Sequence, residues 1–116
     1  MAFRMPASDG KNKRIEHRVS GAEANPYLAL AAVLAGAYHG LANGLEPTEI
    51  ASGNAGAEVD EDLPLRPWTA LDRLEQTEVL KAYMGDEFLR AYAAVKRAEF
   101  EDFLSEITPR EIEWYL

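Results

Sequence analysis

Apolar and polar positions alternate over residues 13–19. Arg14, Glu16 and Arg18 fall on one face of an extended chain, and Ile15, His17 and Val19 on the other. Residues 2–6 read as a partner strand, and the turn cluster Ser8-Asp9-Gly10-Lys11-Asn12 between them predicts a β-hairpin in which Gly10 supplies a positive φ. Arg4 lies on the opposite face of its strand from Phe3 and Met5, and the pattern leaves the register open. His17, on the face away from the charged row, reads as a core histidine.

The pattern then changes period. Leu30, Leu34, Tyr38 and Leu41 recur at spacings of four, four and three, which predicts a helix. Asn25 is placed to cap it, Pro26 suits the first helical position, and Gly44 marks its end. This helix, over 25–43, is rich in alanine and apolar nearly all round, so it expects burial on more than one side. Residues 44–67 show no period and read as a loop, with Gly53-Asn54-Ala55-Gly56 and the acidic run from Glu58 to Asp62 inside it.

Three helices and a short terminal one fill residues 68–116. Thr69 with Asp72 is read as opening the first. The second runs from about Thr77 to Gly85. The third runs from Asp86 to about Ile107, with the stripe Leu89, Tyr92, Lys96, Phe100, Phe103 and Ile107, in which Lys96 snorkels. Thr108-Pro109-Arg110-Glu111 has the full capping-box pattern and opens the last. The predicted class is α+β: a mainly α-helical segment with an N-terminal β-hairpin.

Size and composition narrow the function. The chain has 116 residues, 47% hydrophobic and 28% charged, so one small domain is the upper bound. It has no cysteine, which removes disulfides, thiolate metal sites and a cysteine nucleophile. The net charge of −8 argues against a nucleic-acid partner, and no stretch is long enough to span a membrane. A cytoplasmic protein is expected. The charge is uneven, however. Residues 1–19 carry five basic and two acidic residues, and the remainder carries −11. A basic patch on an acidic chain suits a small anion.

The row Arg14, Glu16, Arg18 has two readings. It is an exposed salt-bridge row, or it is a site where a carboxylate ligates a hard cation and guanidiniums grip phosphate or carboxylate oxygens. The residues Asp60, Glu61 and Asp62 lack calcium-loop spacing, and neither His17 nor His39 sits in a metal-ligand spacing.

A resemblance bears on that choice. The string Arg14-Ile15-Glu16-His17-Arg18, followed by Gly21-Ala22-Glu23-Ala24-Asn25-Pro26-Tyr27-Leu28 and the Ala-rich helix, resembles the glutamine synthetase family. Upstream Phe3-Arg4-Met5-Pro6, and downstream Gly53-Asn54, Leu63-Pro64 and Arg97-Ala98-Glu99, also fit. The resemblance covers essentially the whole chain and is greatest to the branch containing γ-glutamylpolyamine synthetases. It implies the C-terminal part of the family's catalytic domain. It also implies an ATP-dependent carboxylate–amine ligase of nitrogen metabolism that joins glutamate to ammonia or an amine through a γ-glutamyl phosphate.

By the same resemblance Glu16 ligates the metal (Mg²⁺ or Mn²⁺), and Arg18 is the catalytic arginine that contacts glutamate and its phosphorylated form. Arg4 and Arg14 lie near the ATP phosphates. The parent is a homo-oligomeric ring, and its N-terminal β-grasp domain is absent here. One carboxylate does not make a Mg²⁺ site, so the isolated chain is expected to be inactive. The alternative is a non-catalytic, truncated helical module that docks on a full-length synthetase. The acceptor amine is not readable from these residues.

Overall fold

The computed structural model describes residues 2–54, 56 and 60–115. The chain divides into two units, Met1–Leu63 and Pro64–Leu116. The architecture is the expected one, mainly helical with one antiparallel hairpin.

The first unit holds β1 (Phe3–Arg4), β2 (Glu16–His17) and α1 (Pro26–Ala42). The strands are shorter than the alternation predicts. Their register sets Phe3 opposite His17 and Arg4 opposite Glu16. The amide of Arg18 donates to the Ala2 carbonyl at 2.9 Å and extends the ladder by one step. The turn works differently from the expectation, because Gly10 is not among the glycines with positive φ. Asp9 shapes it instead: its carboxylate accepts from the Asn12 amide at 3.1 Å and from Asn12 Nδ2 at 2.7 Å. An Asp side chain that bonds its own backbone three residues on closes a turn without a left-handed residue.

Helix α1 begins and ends as its sequence dictates. Asn25 Oδ1 accepts from the amides of Tyr27 and Leu28, and Pro26 takes the first turn, where its missing N–H costs nothing. At the other end Gly44 adopts φ 61°. The Leu45 amide reaches the Gly40 carbonyl at 2.9 Å and the Gly44 amide the Leu41 carbonyl at 3.3 Å, the paired bonds of a Schellman cap. The burial expected of this helix is not met by this chain. Only Ala35 is buried, while Tyr27 and Leu41 are more than four-fifths exposed and Leu30, Leu34 and Tyr38 more than half.

Residues 45–54 and 60–66 form no helix or strand. Ala55 and Glu58, named in the predicted loop, lie outside the described residues. Asp60 Oδ1 accepts from the Asp62 amide at 2.9 Å, so this acidic stretch is a turn held by its own backbone. Among the described residues no group of three His, Asp or Glu side chains is placed to hold a metal, and no helix is long and apolar enough to cross a membrane.

The second unit holds α2 (Pro67–Gln76), α3 (Glu78–Met84), α4 (Asp86–Ser105) and α5 (Pro109–Tyr115). Thr69 does not open α2. The helix starts at Pro67 after Arg66 with no side-chain cap, and Thr69 lies inside its first turn. Proline's preset φ outweighs the weaker Thr–Asp signal. Thr77 ends α2 and caps α3, accepting from the Leu80 amide. Gly85 joins α3 to α4 at φ 89°, ψ 133°, a conformation open essentially to glycine.

Helices α2 and α3 both pack on α4. Leu89 at 2% exposure and Ala93 at 0% face that contact, with Leu71 of α2 also buried. Trp68 meets Phe100 with ring centroids 5.7 Å apart. One turn away, Arg97 ties α4 to α2 through Asp72 and Glu75, both at 2.7 Å. The predicted stripe is therefore buried only in its first part, for Phe103 and Ile107 are about three-quarters exposed. Lys96 does snorkel. Its ammonium reaches Glu99 at 2.6 Å and stands 5.8 Å from the centroid of the Tyr92 ring.

The capping box of α5 forms in both directions. Glu111 accepts from the Thr108 amide at 2.7 Å, and the Glu111 amide donates back to Thr108 Oγ1 at 3.3 Å. Trp114 is exposed and lies against the Arg110 guanidinium, 5.6 Å from its centroid.

Two outcomes are expected. Leu89→Ala should cost about 3 kcal/mol, because the cavity sits where three helices meet. Urea unfolding followed by far-UV circular dichroism measures this, and a loss below about 1 kcal/mol would show that Leu89 does not anchor the contact. Acid should loosen α5. The backbone and hydroxyl bonds from Thr108 hold the Glu111 carboxyl below its ordinary value of 4.5. Its stabilising contribution is complete above that value and lost as pH falls through the depressed one. The protection factors of the Ile112 and Glu113 amides, taken relative to intrinsic exchange at each pH, should fall as pH drops below the ordinary carboxyl value, and in Glu111→Gln, which keeps the box but not the titration, they should be flat.

Candidate functional site

The hairpin gathers all four of the predicted site residues. Glu16 sits at the centre of them. Arg4 arrives from the opposite strand and donates from Nη1 to Glu16 Oε2 at 3.0 Å. Arg14, two residues before on the same face, reaches Oε1 at 3.4 Å from Nη2. Arg18, two residues after, places Nε 3.5 Å from Oε2. Alternation puts Arg14, Glu16 and Arg18 on one face. The register then adds Arg4, which the alternation alone left open.

The electrostatics follow from that crowding. The hydrogen bond from Arg4 does most to hold the Glu16 carboxyl below the ordinary carboxylate range. Partial loss of solvent opposes this, and the charges of Arg4, Arg14 and Arg18 add to it. The Glu16 side chain is 27% exposed, against 45%, 60% and 49% for Arg4, Arg14 and Arg18. The carboxylate is thus the more sheltered partner, and the guanidiniums reach out into water. Three cations on one anion leave a local charge of +2, and forked donors of this kind bind phosphate and carboxylate oxygens.

The other face of the hairpin is aromatic. Phe3 and His17, also directly opposed, lie with ring centroids 5.0 Å apart and planes 30° apart. Ser20 Oγ and His17 Nδ1 are 2.9 Å apart. His17 is exposed, so it is not the core histidine expected from the alternation. A two-stranded ribbon has no second layer to bury either face. His17 acts as a cross-strand neighbour that braces the register, and Ser20 holds its ring. The sequence assigns Ser20 no site role, and its contact with His17 shows only in the folded hairpin.

His39 lies on α1 and takes no part in the cluster. Its carbonyl accepts from Asn43 Nδ2 at 2.8 Å, closing the end of the helix.

As to metal, Glu16 offers one oxygen ligand, already engaged by guanidiniums at both oxygens. A donor set of one carboxylate and three arginines fits anions. It does not by itself fit Mg²⁺ or Mn²⁺, which require several oxygen ligands.

Comparison with known proteins shows the family. The family described as "Glutamine synthetase, catalytic domain" matches residues 1–115. The chain is 41% identical over 116 residues to the γ-glutamylputrescine synthetase of Escherichia coli (strain K12), covering 100% of this chain and 25% of that protein. It is 35% identical over 122 residues to a glutamine synthetase of Methanocaldococcus jannaschii, covering 98% of this chain and 27% of the relative. It is 33% identical over 103 residues to a γ-glutamylethanolamide synthetase of Streptomyces coelicolor, covering 89% and 22%. The chain spans about a quarter of the length of these curated relatives. With a family match over all but its last residue, and with the Arg-Ile-Glu-His-Arg strand folded against Arg4, the chain belongs to the glutamine synthetase family.

Proposed function

We propose that this chain carries part of the active site of an ATP-dependent carboxylate–amine ligase that joins glutamate to ammonia or an amine. The observation that carries the proposal is the convergence of Arg4, Arg14 and Arg18 on Glu16 at one face of the hairpin. In the reaction a γ-carboxylate oxygen of glutamate attacks the terminal phosphorus of ATP, and ADP leaves. The amine nitrogen then attacks the acyl carbon of the γ-glutamyl phosphate. Inorganic phosphate leaves with the acyl oxygen–carbon bond's electron pair, and the amine loses a proton.

Both steps move negative charge between oxygens, so their barriers respond chiefly to positioning and to fixed positive charge. Arg18 is assigned to the glutamate carboxylate and its phosphorylated form, and Arg4 and Arg14 to the nucleotide phosphates. Their forked donors hold two oxygens at once and fix orientation as well as charge. Glu16 would supply one ligand of a divalent cation, which would neutralise the nucleotide phosphates; the described residues hold no set of three candidate ligands, so the remaining ligands would come from outside this chain.

The relatives' names divide among putrescine, ethanolamide and glutamine, and in this proposal residues outside this chain choose the acceptor. The active parent is a homo-oligomer in this proposal.

A second reading, a helical module that docks on a complete synthetase, is favoured by one observation, the exposed apolar residues of α1.

A segment exchange separates the two. The matching quarter of the Escherichia coli γ-glutamylputrescine synthetase is replaced by this chain, and phosphate release is followed with Mg²⁺-ATP, glutamate and putrescine. The exchanged enzyme should retain release that depends on both glutamate and putrescine. Arg18→Ala and Glu16→Gln should each lower kcat/KM by about 100-fold or more. The 116-residue chain alone should release none. A folded exchange enzyme whose activity is untouched by Arg18→Ala would sink the site assignment and leave the docking module.

A further inference from the structure

We infer that His17 is a positioning residue for the hairpin site: its ring contact with Phe3 selects the register that places Arg4 beside Glu16, so His17 acts on the reaction only through Arg4. The inference deepens the proposed function and rests on its assignment of Arg4 to an anionic group of the substrate.

The strand pairing is two residues long, so few backbone bonds hold it against a slip. A slip of two residues keeps the faces but sets Arg4 opposite Arg14 or Arg18. Like charges directly opposed repel, so the charged row itself excludes these registers. A slip of one residue meets no such obstacle. It turns Arg4 to the far face, opposite Ile15 or His17, and brings Phe3 opposite Glu16 or Arg18. That slip forfeits two things, the Arg4–Glu16 ion pair and the Phe3–His17 contact. The ion pair is largely open to solvent on its arginine side, and exposed pairs hold little. The ring contact is therefore the element that decides between the native register and its nearest rivals.

The contact is well placed for that role. The Arg18 amide bonds the Ala2 carbonyl, which makes Ala2 and Arg18 a hydrogen-bonded pair and puts Phe3 and His17 at the next, non-hydrogen-bonded position. Opposed side chains approach most closely there. The two rings lie with centroids 5.0 Å apart and planes 30° apart, within the range of offset stacking. Ser20 Oγ, 2.9 Å from Nδ1, fixes the rotation of the imidazole. His17 itself alternates away from the guanidinium face, so it has no direct path to an anion held there.

The first measurement uses the full chain and no catalysis. Proton NMR should show the α-protons of Phe3 and His17 in contact, since the native register alone opposes them. His17→Ala should weaken that contact about threefold and His17→Phe should keep it, with the amide shifts of α1 unchanged in both. The second uses the exchanged synthetase. His17→Ala should lower kcat/KM about tenfold, and His17→Phe should restore it to within about twofold. In an Arg4→Ala background, His17→Ala should cost less than about twofold, because the interaction it serves is already gone. Absence of the α-proton contact in the wild-type chain, no loss in His17→Ala, a His17→Phe enzyme as slow as His17→Ala, or losses for His17 and Arg4 that simply multiply would each overturn the inference. An exchanged enzyme indifferent to both Arg18→Ala and Arg4→Ala fails the proposed function instead, and the register measurement stands apart from it.

Discussion

A strand residue has two kinds of neighbour on its own face: the residues two positions along, and the one directly across the ladder. For Glu16 the first kind supplies Arg14 and Arg18. The second kind depends wholly on register, and the register sets Arg4 there. A slip of one residue would turn Arg4 to the other face and bring Phe3 beside the carboxylate. The chemistry of the hairpin therefore rests on a backbone pairing only two residues long. The Phe3–His17 contact and the Arg18-to-Ala2 hydrogen bond matter because they hold that pairing from its other face and its end.

The helical unit solves a different problem with the same economy. Its interior is small, and it is organised by α4. Ala93 is enclosed completely and Leu89 nearly so, while α2 and α3 lie on the same helix. A small side chain at a crossing lets helices approach closely, and a large one beside it fills the remaining space. Polar links then align the parts. Arg97 spans from α4 to two carboxylates on α2, and its bonds to Asp72 and Glu75 set the rotation of one helix against the other. That pairing joins residues more than twenty positions apart, and no helical spacing announces it.

Local signals in the sequence suffice wherever a short-range bond decides the outcome. Asn25-Pro26, Thr77, Gly85 and Thr108-Pro109-Arg110-Glu111 each satisfy helix-end groups within a few residues, and each stands where its pattern places it. They do not suffice where two local signals compete or where burial is at stake. Pro67 overrode Thr69, and Asp9 did the work expected of Gly10. His17 was expected inside because it alternates with charged residues, yet alternation reports only which residues share a face. It does not report whether that face is covered. The same holds for α1, whose apolar residues ask for cover that this chain, a quarter of the length of its curated relatives, does not supply.

By itself, then, the sequence determined the helix ends, the α+β class, the shared face of Arg14, Glu16 and Arg18, and the family to which they belong. These are properties of neighbours along the chain, settled by φ preferences, capping bonds and a period of two. Only the tertiary structure decided that Arg4 faces Glu16, that Arg97 bridges two helices, and that the carboxylate is more sheltered than the arginines around it. Those depend on which distant segments meet. That is a matter of register and packing between elements, and no spacing along one element encodes it.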